Sequence, residues 1–371
     1  MNATDLCFTP ATELATTIRA RRLSPVEVTR AVLERIERVN PKLNAFCTLT
    51  ADTAMERARE AEAAVMRGGA LGPLAQGSDG AGSIRIPSSF CGVYGLKPTY
   101  GRVPMWPISN NDYASHNGPM TRTVADAALM LSVMAGPDDW DKSALDAPPA
   151  DYVGRLLDGV RGLKVAFSAN LDTLRVDPDV ATIVAQAVRA FETLGAIVEE
   201  VKVGFAESQR LIRLLWNAHE AGNYARYLPE WRSRMDPGLV ASIEDGMRYS
   251  VTEYIEARGE KLAYCDSVRP LFERYDLLLT PSVSVTAFEV GRLNPAHWPQ
   301  HDWDWFPWAG FSYPFNFTGH PAASVPAGFT PSGMPVGLQI VGRRYADLTV
   351  LQASAAFEQA RPWATRRPAV E

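Results

Sequence analysis

A glycine-rich turn at residues 77–83 constrains this chain more than any other feature of its sequence. The turn reads GSDGAGS and ends in Ser83, and the segment that follows it is apolar and interrupted by proline. Because glycine carries no Cβ, the backbone of such a turn can bend tightly and can adopt left-handed conformations. Successive backbone N–H groups can therefore point into one small space.

Two interpretations of this turn are open. In the catalytic interpretation, the converging N–H groups form a site for an oxyanion, and Ser83 is presented as a nucleophile at the end of the turn. In the structural interpretation, the glycines only allow a tight turn that leads into a strand. The turn alone does not decide between them.

Length and composition indicate a globular α/β protein. The chain has 371 residues, of which 46% are hydrophobic, and helical and strand-like patterns alternate along it. No polar linker divides the sequence, so we predict one domain over residues 1–371. The net charge of −5 argues against a nucleic-acid partner. We expect a cytoplasmic protein without a membrane partner, since neither a long apolar run nor a signal peptide is evident.

Local signals predict several elements. Ser24-Pro25-Val26-Glu27 is typical of a capping box that begins a helix, and Asn40-Pro41 is expected to end that helix. A strand, a helix and a second strand, at 163–168, 178–194 and 197–203, predict a right-handed crossover in a parallel or mixed sheet. The further predictions are a strand at 44–49, helices at 51–67 and after Thr123, a mostly helical region at 208–275, strands at 277–281, 322–326 and 337–341, and a closing helix at 348–360.

Five segments together carry a resemblance to a known family. They are GSDGAGSIRIP at 77–87, CGVYGLKPT at 91–99, GPMTRTVAD at 118–126, NFTGHPA at 316–322 and PVGLQIVG at 335–342. In this order they resemble the amidase signature family, whose nucleophile segment reads G-[ST]-D-x-G-G-S-[IV]-R-x-P. Ala81 stands where that family usually has glycine.

The resemblance implies a fold, an activity and a set of site residues. The implied fold is a mixed β-sheet core covered by helices in a single domain. The implied reaction cleaves a small-molecule amide to a carboxylate and ammonia or an amine, without a cofactor. Ser83 matches the nucleophile, and Asp79 and Arg85 are interpreted as supports of the turn, Asp79 by orienting the loop and Arg85 as an ion-pair partner. The oxyanion hole is matched by the backbone N–H groups of Gly80, Ala81, Gly82 and Ser83.

Two catalytic partners of that family have no counterpart in this chain. In the family, the proton passes through a second serine on a cis peptide to a neutral lysine on a strand that ends in Lys-Asp. None of the six lysines here is followed by aspartate, and the only Gly-Gly pair, Gly68-Gly69, is followed by Ala70. Both partners precede the nucleophile in the family. We therefore infer an internal deletion of roughly a hundred residues, with its junction near Leu71 to Ala75.

The deletion leaves two functions open. The chain is either an amidase whose catalysis through Ser83 is impaired, or a catalytically inactive, truncated homologue that acts at most as a binding module. The gap also predicts lower stability or aggregation, because strands beside it would expose unpaired edges and apolar faces.

Other reactive side chains have mainly structural interpretations. Lys97 can be considered a replacement base, although the family treats the GLKPT element as structural. The segment 298–308 is aromatic and broken by proline, and it is either the mouth of a substrate pocket or a loop packed on the surface. Histidines that are assigned packing roles are His116, His219 and His320. His297 and His301 have a spacing used for metal binding, but without a convincing third ligand we predict no metal site.

Overall fold

The computed structural model of the chain describes residues 2–66, 76–111 and 114–367. The chain divides into two compact units, one formed by Met1–Ala75 with Ala364–Glu371 and the other by Gln76–Trp363. The predicted deletion junction near Leu71 to Ala75 lies outside the described residues, as does the Gly68-Gly69 pair.

The described part of the first unit is helical. Its helices are α1 (Ala3–Phe8), α2 (Ala11–Arg19), α3 (Pro25–Leu43) and α4 (Ala51–Met66). The predicted capping box is confirmed: Ser24 Oγ accepts from the Val26 N–H at 2.9 Å, and the Glu27 carboxylate accepts from the Ser24 N–H at 2.9 Å. These two bonds satisfy backbone donors that have no partner within the helix, and so they fix the start of α3.

The end of α3 differs from the prediction. The helix passes through Pro41 to Leu43 and is closed by Asn44, whose φ of 47° is left-handed. A proline in the last turn removes one helical hydrogen bond but leaves the rest of the helix intact. The expected end at Asn40-Pro41 is therefore wrong by one turn.

The strand predicted at residues 44–49 is also wrong, because this segment forms an irregular connection. The Asn40 side-chain oxygen accepts from the N–H groups of Ala45 and Phe46, at 2.8 and 2.9 Å. A polar side chain thus takes the backbone donors that a neighbouring strand would otherwise have bound.

An eight-stranded mixed sheet forms the centre of the second unit. Its strands are β1 (Gln76–Asp79), β2 (Tyr94–Lys97), β3 (His116–Thr121), β4 (Lys164–Phe167), β5 (Ile197–Glu200), β6 (Leu277–Pro281), β7 (Ala322–Phe329) and β8 (Pro335–Gly342). They lie in the order β1-β3-β2-β7-β8-β6-β4-β5. Strand β4 runs parallel to β5 and β6, and the other neighbours are antiparallel. The predicted mixed α/β class is confirmed.

Helices of the second unit pack on this sheet and beside it. They are α5 (Arg85–Cys91), α6 (Val124–Met134), α7 (Pro178–Thr193), α8 (Gln209–Tyr224), α9 (Leu228–Trp231), α10 (Pro237–Gly246), α11 (Val251–Arg274), α12 (Pro314–Phe317) and α13 (Asp347–Ala360). Thr123 caps α6 as predicted, with its hydroxyl accepting from the Asp126 N–H at 3.2 Å. Within the part of the chain that the structure describes, no helix is both long and apolar enough to cross a bilayer.

The predicted strand–helix–strand unit is confirmed by β4, α7 and β5. The two strands pair in parallel, with Val165 opposite Val198. Helix α7 buries Val180, Val184 and Phe191, which recur at helical spacing and face the core. The apolar strand β6 is fully buried beside β4, as its continuous run of leucines predicted.

The glycine-rich turn is positioned by β1, a short strand at one end of the sheet order. Strand β1 pairs antiparallel with β3, with Asp79 opposite His116. The turn then connects Asp79 directly to α5, which begins at Arg85. This connection brings a strand end, a turn and a helix start into one place.

Candidate active site

Ser83 lies in the turn immediately before α5, and its surroundings set its accessibility. Gly82 and Ile84 on either side of it are buried, whereas Ser83 itself is exposed. Its hydroxyl has no hydrogen-bond partner among the described residues. The turn therefore holds its backbone in the protein and presents one hydroxyl outward.

A buried ion pair supports the turn from beneath. The side chains of Asp79 and Arg85 are both 0% exposed. Two parallel contacts join them, from Arg85 Nη2 to Asp79 Oδ1 and from Nε to Oδ2, each at 3.0 Å. Burial alone raises the pKa of the Asp79 carboxyl, but the charge and hydrogen bonds of Arg85 outweigh it and hold this pKa well below its ordinary value. The pair is charged, bidentate and dry.

The remaining donors of Arg85 reach residues far along the chain. Nη1 donates to Ser312 O at 2.7 Å and to Gln339 Oε1 at 2.8 Å, and Nη2 donates to Asn316 Oδ1 at 2.5 Å. Together with the bonds to Asp79, all five N–H donors of the guanidinium have acceptors. Sequence reasoning missed the supporting roles of Asn316 and Gln339, although both lie in the C-terminal segments that carry the family resemblance.

The backbone N–H groups of the turn fall into two sets. Those of Gly82 and Ile84 donate to the Asp79 carboxylate, at 2.8 and 3.2 Å. Those of Gly80, Ala81 and Ser83 have no acceptor among the described residues. The Gly82 N–H thus holds the turn in shape, which differs from the oxyanion-hole role expected for it, and three donors of the expected four remain open.

Gly82 is required by both conformation and space. Its φ is +136°, and a Cβ added there would lie 2.5 Å from Ile86 Cδ1 and 2.6 Å from Ser312 Oγ. The Ser312 hydroxyl itself donates to Ala81 O at 2.6 Å, so it is not free to move away. A side chain at position 82 would therefore disturb the contact that anchors the turn.

We expect Gly82→Ala to lower the free energy of unfolding by about 2–5 kcal/mol, from backbone strain and from overpacking together. Gly136→Ala is the matched control, because Gly136 has a similar φ of +146° but an added Cβ would meet nothing within 4 Å. It should cost only about 1–3 kcal/mol, the strain alone. Chemical denaturation of both variants measures the difference, and equal losses would show that the turn relieves the clash.

Ser83 borders an open cleft of about 450 Å³. The residues that line it are Ser83, Ile86, Pro87, Phe288, Arg292, Leu293, Trp305 and Trp308. Two residues of the aromatic segment 298–308 thus lie beside the nucleophile candidate, in agreement with its interpretation as the mouth of a pocket. Trp298 is 5% exposed and donates its indole N–H to Asp177 Oδ1 at 3.0 Å, so that end of the segment is packed.

On the other side of the turn, Gly80 borders a small cavity of about 20 Å³. Trp216, Lys261 and Phe317 are among the residues that line it. A Cβ added to Gly80 would lie 2.9 Å from Asn111 Nδ2, so glycine is needed for the close approach of this wall. The turn therefore separates a large open cleft from a small enclosed one.

Lys97, considered as a replacement base, is not among the residues that line the Ser83 cleft. It lies fully buried at the end of β2, and its ammonium donates to His320 O at 2.5 Å and to Pro98 O at 3.4 Å. Burial first, and the nearby Arg85 charge second, lower the pKa of Lys97 well below its ordinary value. Hydrogen bonds to backbone carbonyls away from the cleft indicate a structural role.

The buried histidines are neutral and packed. His116 donates from Nδ1 to Ala114 O at 2.8 Å, and burial, with the Lys97 charge, lowers its pKa well below the ordinary value. His320 stacks on Phe272 and its Nδ1 lies 2.8 Å from the Thr318 hydroxyl. Burial, with the Lys97 charge next, lowers the pKa of His320 to about 3.

The other histidines also have protein partners. His219 Nε2 lies 3.0 Å from the Tyr254 hydroxyl. His297 pairs with Asp177, and His301 Nδ1 accepts from the N–H groups of Trp303 and Asp304. Over the described ranges, no group of three or more metal-ligating side chains occurs.

Comparison with known proteins identifies the family. A family model described as Amidase matches residues 62–351, well over half of the chain. This chain belongs to the amidase signature family. The matched region of the amidase includes the turn, the ion pair and the residues that line the Ser83 cleft.

Individual relatives differ in how much of them this amidase covers. An acylamidase of Rhodococcus erythropolis is 39% identical over 319 residues, which are 83% of this chain but 65% of that protein, so the chain spans just under two thirds of it. One subunit of the glutamyl-tRNA(Gln) amidotransferase of Moorella thermoacetica is 29% identical over 490 residues, with 98% of this chain and 99% of that protein covered. The crystal structure of a bacterial aryl acylamidase of the same family superposes with a TM-score of 0.87 at 26% identity, covering 97% of this chain and 99% of that one.

Proposed function

We propose that this chain is an amide hydrolase whose nucleophile is Ser83. The observation that carries the proposal is the exposed Ser83 hydroxyl at the edge of the 450 Å³ cleft, on a turn with open backbone donors. The hydroxyl oxygen attacks the amide carbonyl carbon, the C–N bond breaks, and the amine leaves with the proton that the serine has lost. Water then cleaves the acyl ester, which releases a carboxylate and returns a proton to Ser83.

The oxyanion of this reaction would be bound by backbone donors of the turn. Family resemblance assigns this role to Gly80, Ala81, Gly82 and Ser83. Because the Gly82 N–H donates to Asp79, we assign the oxyanion to the N–H groups of Gly80, Ala81 and Ser83. Preorganised donors of this kind stabilise the tetrahedral intermediate without any rearrangement. Asp79 and Arg85 keep these donors in place as positioning residues.

The proton that leaves Ser83 needs a base, and we propose that the base is the missing part of this enzyme. None of the lysines has the sequence context of the family base, and Lys97 lies outside the cleft. A deletion supports this proposal in two ways. The 490 positions aligned with the M. thermoacetica protein exceed the 371 residues of the whole chain by more than a hundred. The sequence boundary between the two compact units also falls at Ala75 and Gln76, next to the predicted junction.

The substrate is proposed to be a small amide with an apolar body. Support comes from the aromatic walls of the cleft, formed by Phe288, Trp305 and Trp308. The names of two relatives agree, since one is an acylamidase and another an aryl acylamidase.

A second candidate function follows from the same missing base. A chain that binds amides in the Ser83 cleft without cleaving them would be an inactive homologue acting as a binding module. Chemical reactivity of Ser83 separates the two functions, because only a nucleophile in an assembled site forms a covalent adduct.

We expect a serine-reactive fluorophosphonate to form an adduct on Ser83, at a lower rate than on the R. erythropolis acylamidase. Peptide mass spectrometry locates the adduct, and Ser83→Ala should abolish it while the surface variant Ser332→Ala should not. A cooperative thermal transition of the same sample shows that the chain is folded. A folded chain without an adduct on Ser83 would favour the binding module.

A further inference from the structure

Arg292 is the only charged residue among the described residues that line the Ser83 cleft. The others are Ser83 itself, one proline and apolar or aromatic side chains. In a cleft with mostly apolar walls, a single guanidinium acts as a strong, directional anchor for an anion. The position of this charge is therefore the feature most able to select among substrates.

The contacts of Arg292 leave most of its donors open. Its Nη1 lies 3.5 Å from Gln300 Oε1, at the outer limit of a hydrogen bond, and its Nε lies 3.9 Å from Glu289 Oε2. The side chain is 45% exposed. Arg85, in contrast, has an acceptor for each of its five donors. The Arg292 guanidinium is thus available to a ligand in a way that the Arg85 guanidinium is not.

The wall that carries Arg292 is held in place by Trp308. The Trp308 indole N–H donates to Leu293 O at 2.9 Å, next to Arg292 in the chain. Trp308 also accepts from the Ser284 N–H at 3.0 Å through its carbonyl oxygen. These bonds tie both ends of the segment 284–293 to one buried residue, so the charge is attached to an ordered support.

Aromatic rings flank this charge on the inside of the cleft. Trp308 lies 5.6 Å from Phe288 and 5.7 Å from Trp305, measured between ring centroids. A volume of about 450 Å³ is within the range of roughly 300–1,000 Å³ that is usual for small-molecule pockets. One ligand of this size can place a ring against the indoles, an amide at Ser83 and an anionic group at Arg292.

We propose that the Ser83 cleft selects aryl amides that carry a carboxylate, and that Arg292 is the residue that binds this carboxylate. The inference rests on the proposed function, since it names the substrate class of the same site. A bidentate contact between guanidinium and carboxylate fixes the orientation of the ring and so directs the amide carbonyl to the turn.

The test measures binding, so that it does not depend on turnover. In a Ser83→Ala background, isothermal titration calorimetry compares 4-acetamidobenzoate with its methyl ester, which has the same ring and amide but no charge. We expect the acid to bind about tenfold more tightly than the ester, in line with a charged hydrogen bond. Added salt should weaken the acid alone.

Substitution of the anchor should remove this preference. Adding Arg292→Gln is expected to weaken binding of the acid about tenfold and to leave the ester within twofold. Arg269→Gln is the matched control, because it removes an equally exposed charge outside this cleft and should change neither ligand. Arg292→Lys keeps the charge without the fork, and it should restore part of the preference.

Two results would overturn this inference: equal binding of acid and ester, or a loss in Arg292→Gln that is equal for both. Absence of binding by either compound would overturn it as well. The proposed function would survive any of these results, because labelling of Ser83 by the fluorophosphonate decides it separately.

Discussion

Arg85→Ala is expected to lower the free energy of unfolding by about 3–5 kcal/mol, the usual cost of removing one partner of a buried ion pair. The Asp79 carboxylate would remain 0% exposed with its counter-ion gone. The acceptors on Ser312, Asn316 and Gln339 would also lose their donor. Unpaired buried polar groups of this kind are costly because no water replaces the lost bond.

Urea denaturation of the wild type and of Arg85→Ala measures this loss. Arg155→Ala is the control, since the pair of Arg155 with Asp158 is 61% and 50% exposed and should contribute at most about 1 kcal/mol. Similar losses in the two variants would contradict a structural role of the buried pair.

The expected loss is large compared with a total stability of about 5–15 kcal/mol. Should Arg85→Ala yield no soluble protein, Arg85→Lys provides a milder version. Lysine keeps the positive charge opposite Asp79 but offers three donors from one atom, so the bonds to Ser312, Asn316 and Gln339 cannot all be kept. We expect a smaller but measurable loss for this variant.

The second large effect concerns catalysis. With 4-nitroacetanilide as substrate, kcat/KM of this chain is expected to be about 10²–10⁴-fold below that of the R. erythropolis acylamidase, the usual contribution of general acid–base catalysis. Ser83 retains its exposure and its oxyanion donors, but no residue of the described cleft supplies a base. Release of 4-nitroaniline, followed by absorbance, measures the ratio.

Ser83→Ala decides whether the remaining turnover belongs to the site. We expect this variant to abolish it, and we expect Ser332→Ala, on an exposed loop, to leave it unchanged. Turnover close to that of the acylamidase would contradict the proposal of a missing base, and it would direct attention to another proton acceptor near the turn. Residual turnover that survives Ser83→Ala would instead exclude Ser83 as the nucleophile.

The local elements of this fold were predictable because their signals lie close together in the chain. The capping box at Ser24, the cap at Thr123 and the apolar run of β6 each depend on residues within one or two turns or one strand. Strands β1, β2 and β3 were not predicted. They are short and hold few apolar residues in alternation, so their identity depends on pairing with segments far away in the chain.

The candidate site divides in the same way. Consecutive residues alone were enough to predict the glycine-rich turn, the serine candidate and the family, because a tight turn and its chemistry are encoded locally. The folded structure was needed to show what supports the turn, since Arg85 bonds to residues 227, 231 and 254 positions away. It was also needed to show that Gly82 donates to Asp79 and that Arg292 lies in the Ser83 cleft. Contacts between distant segments arise from packing around a shared core, and no local pattern of residues encodes which of them will meet.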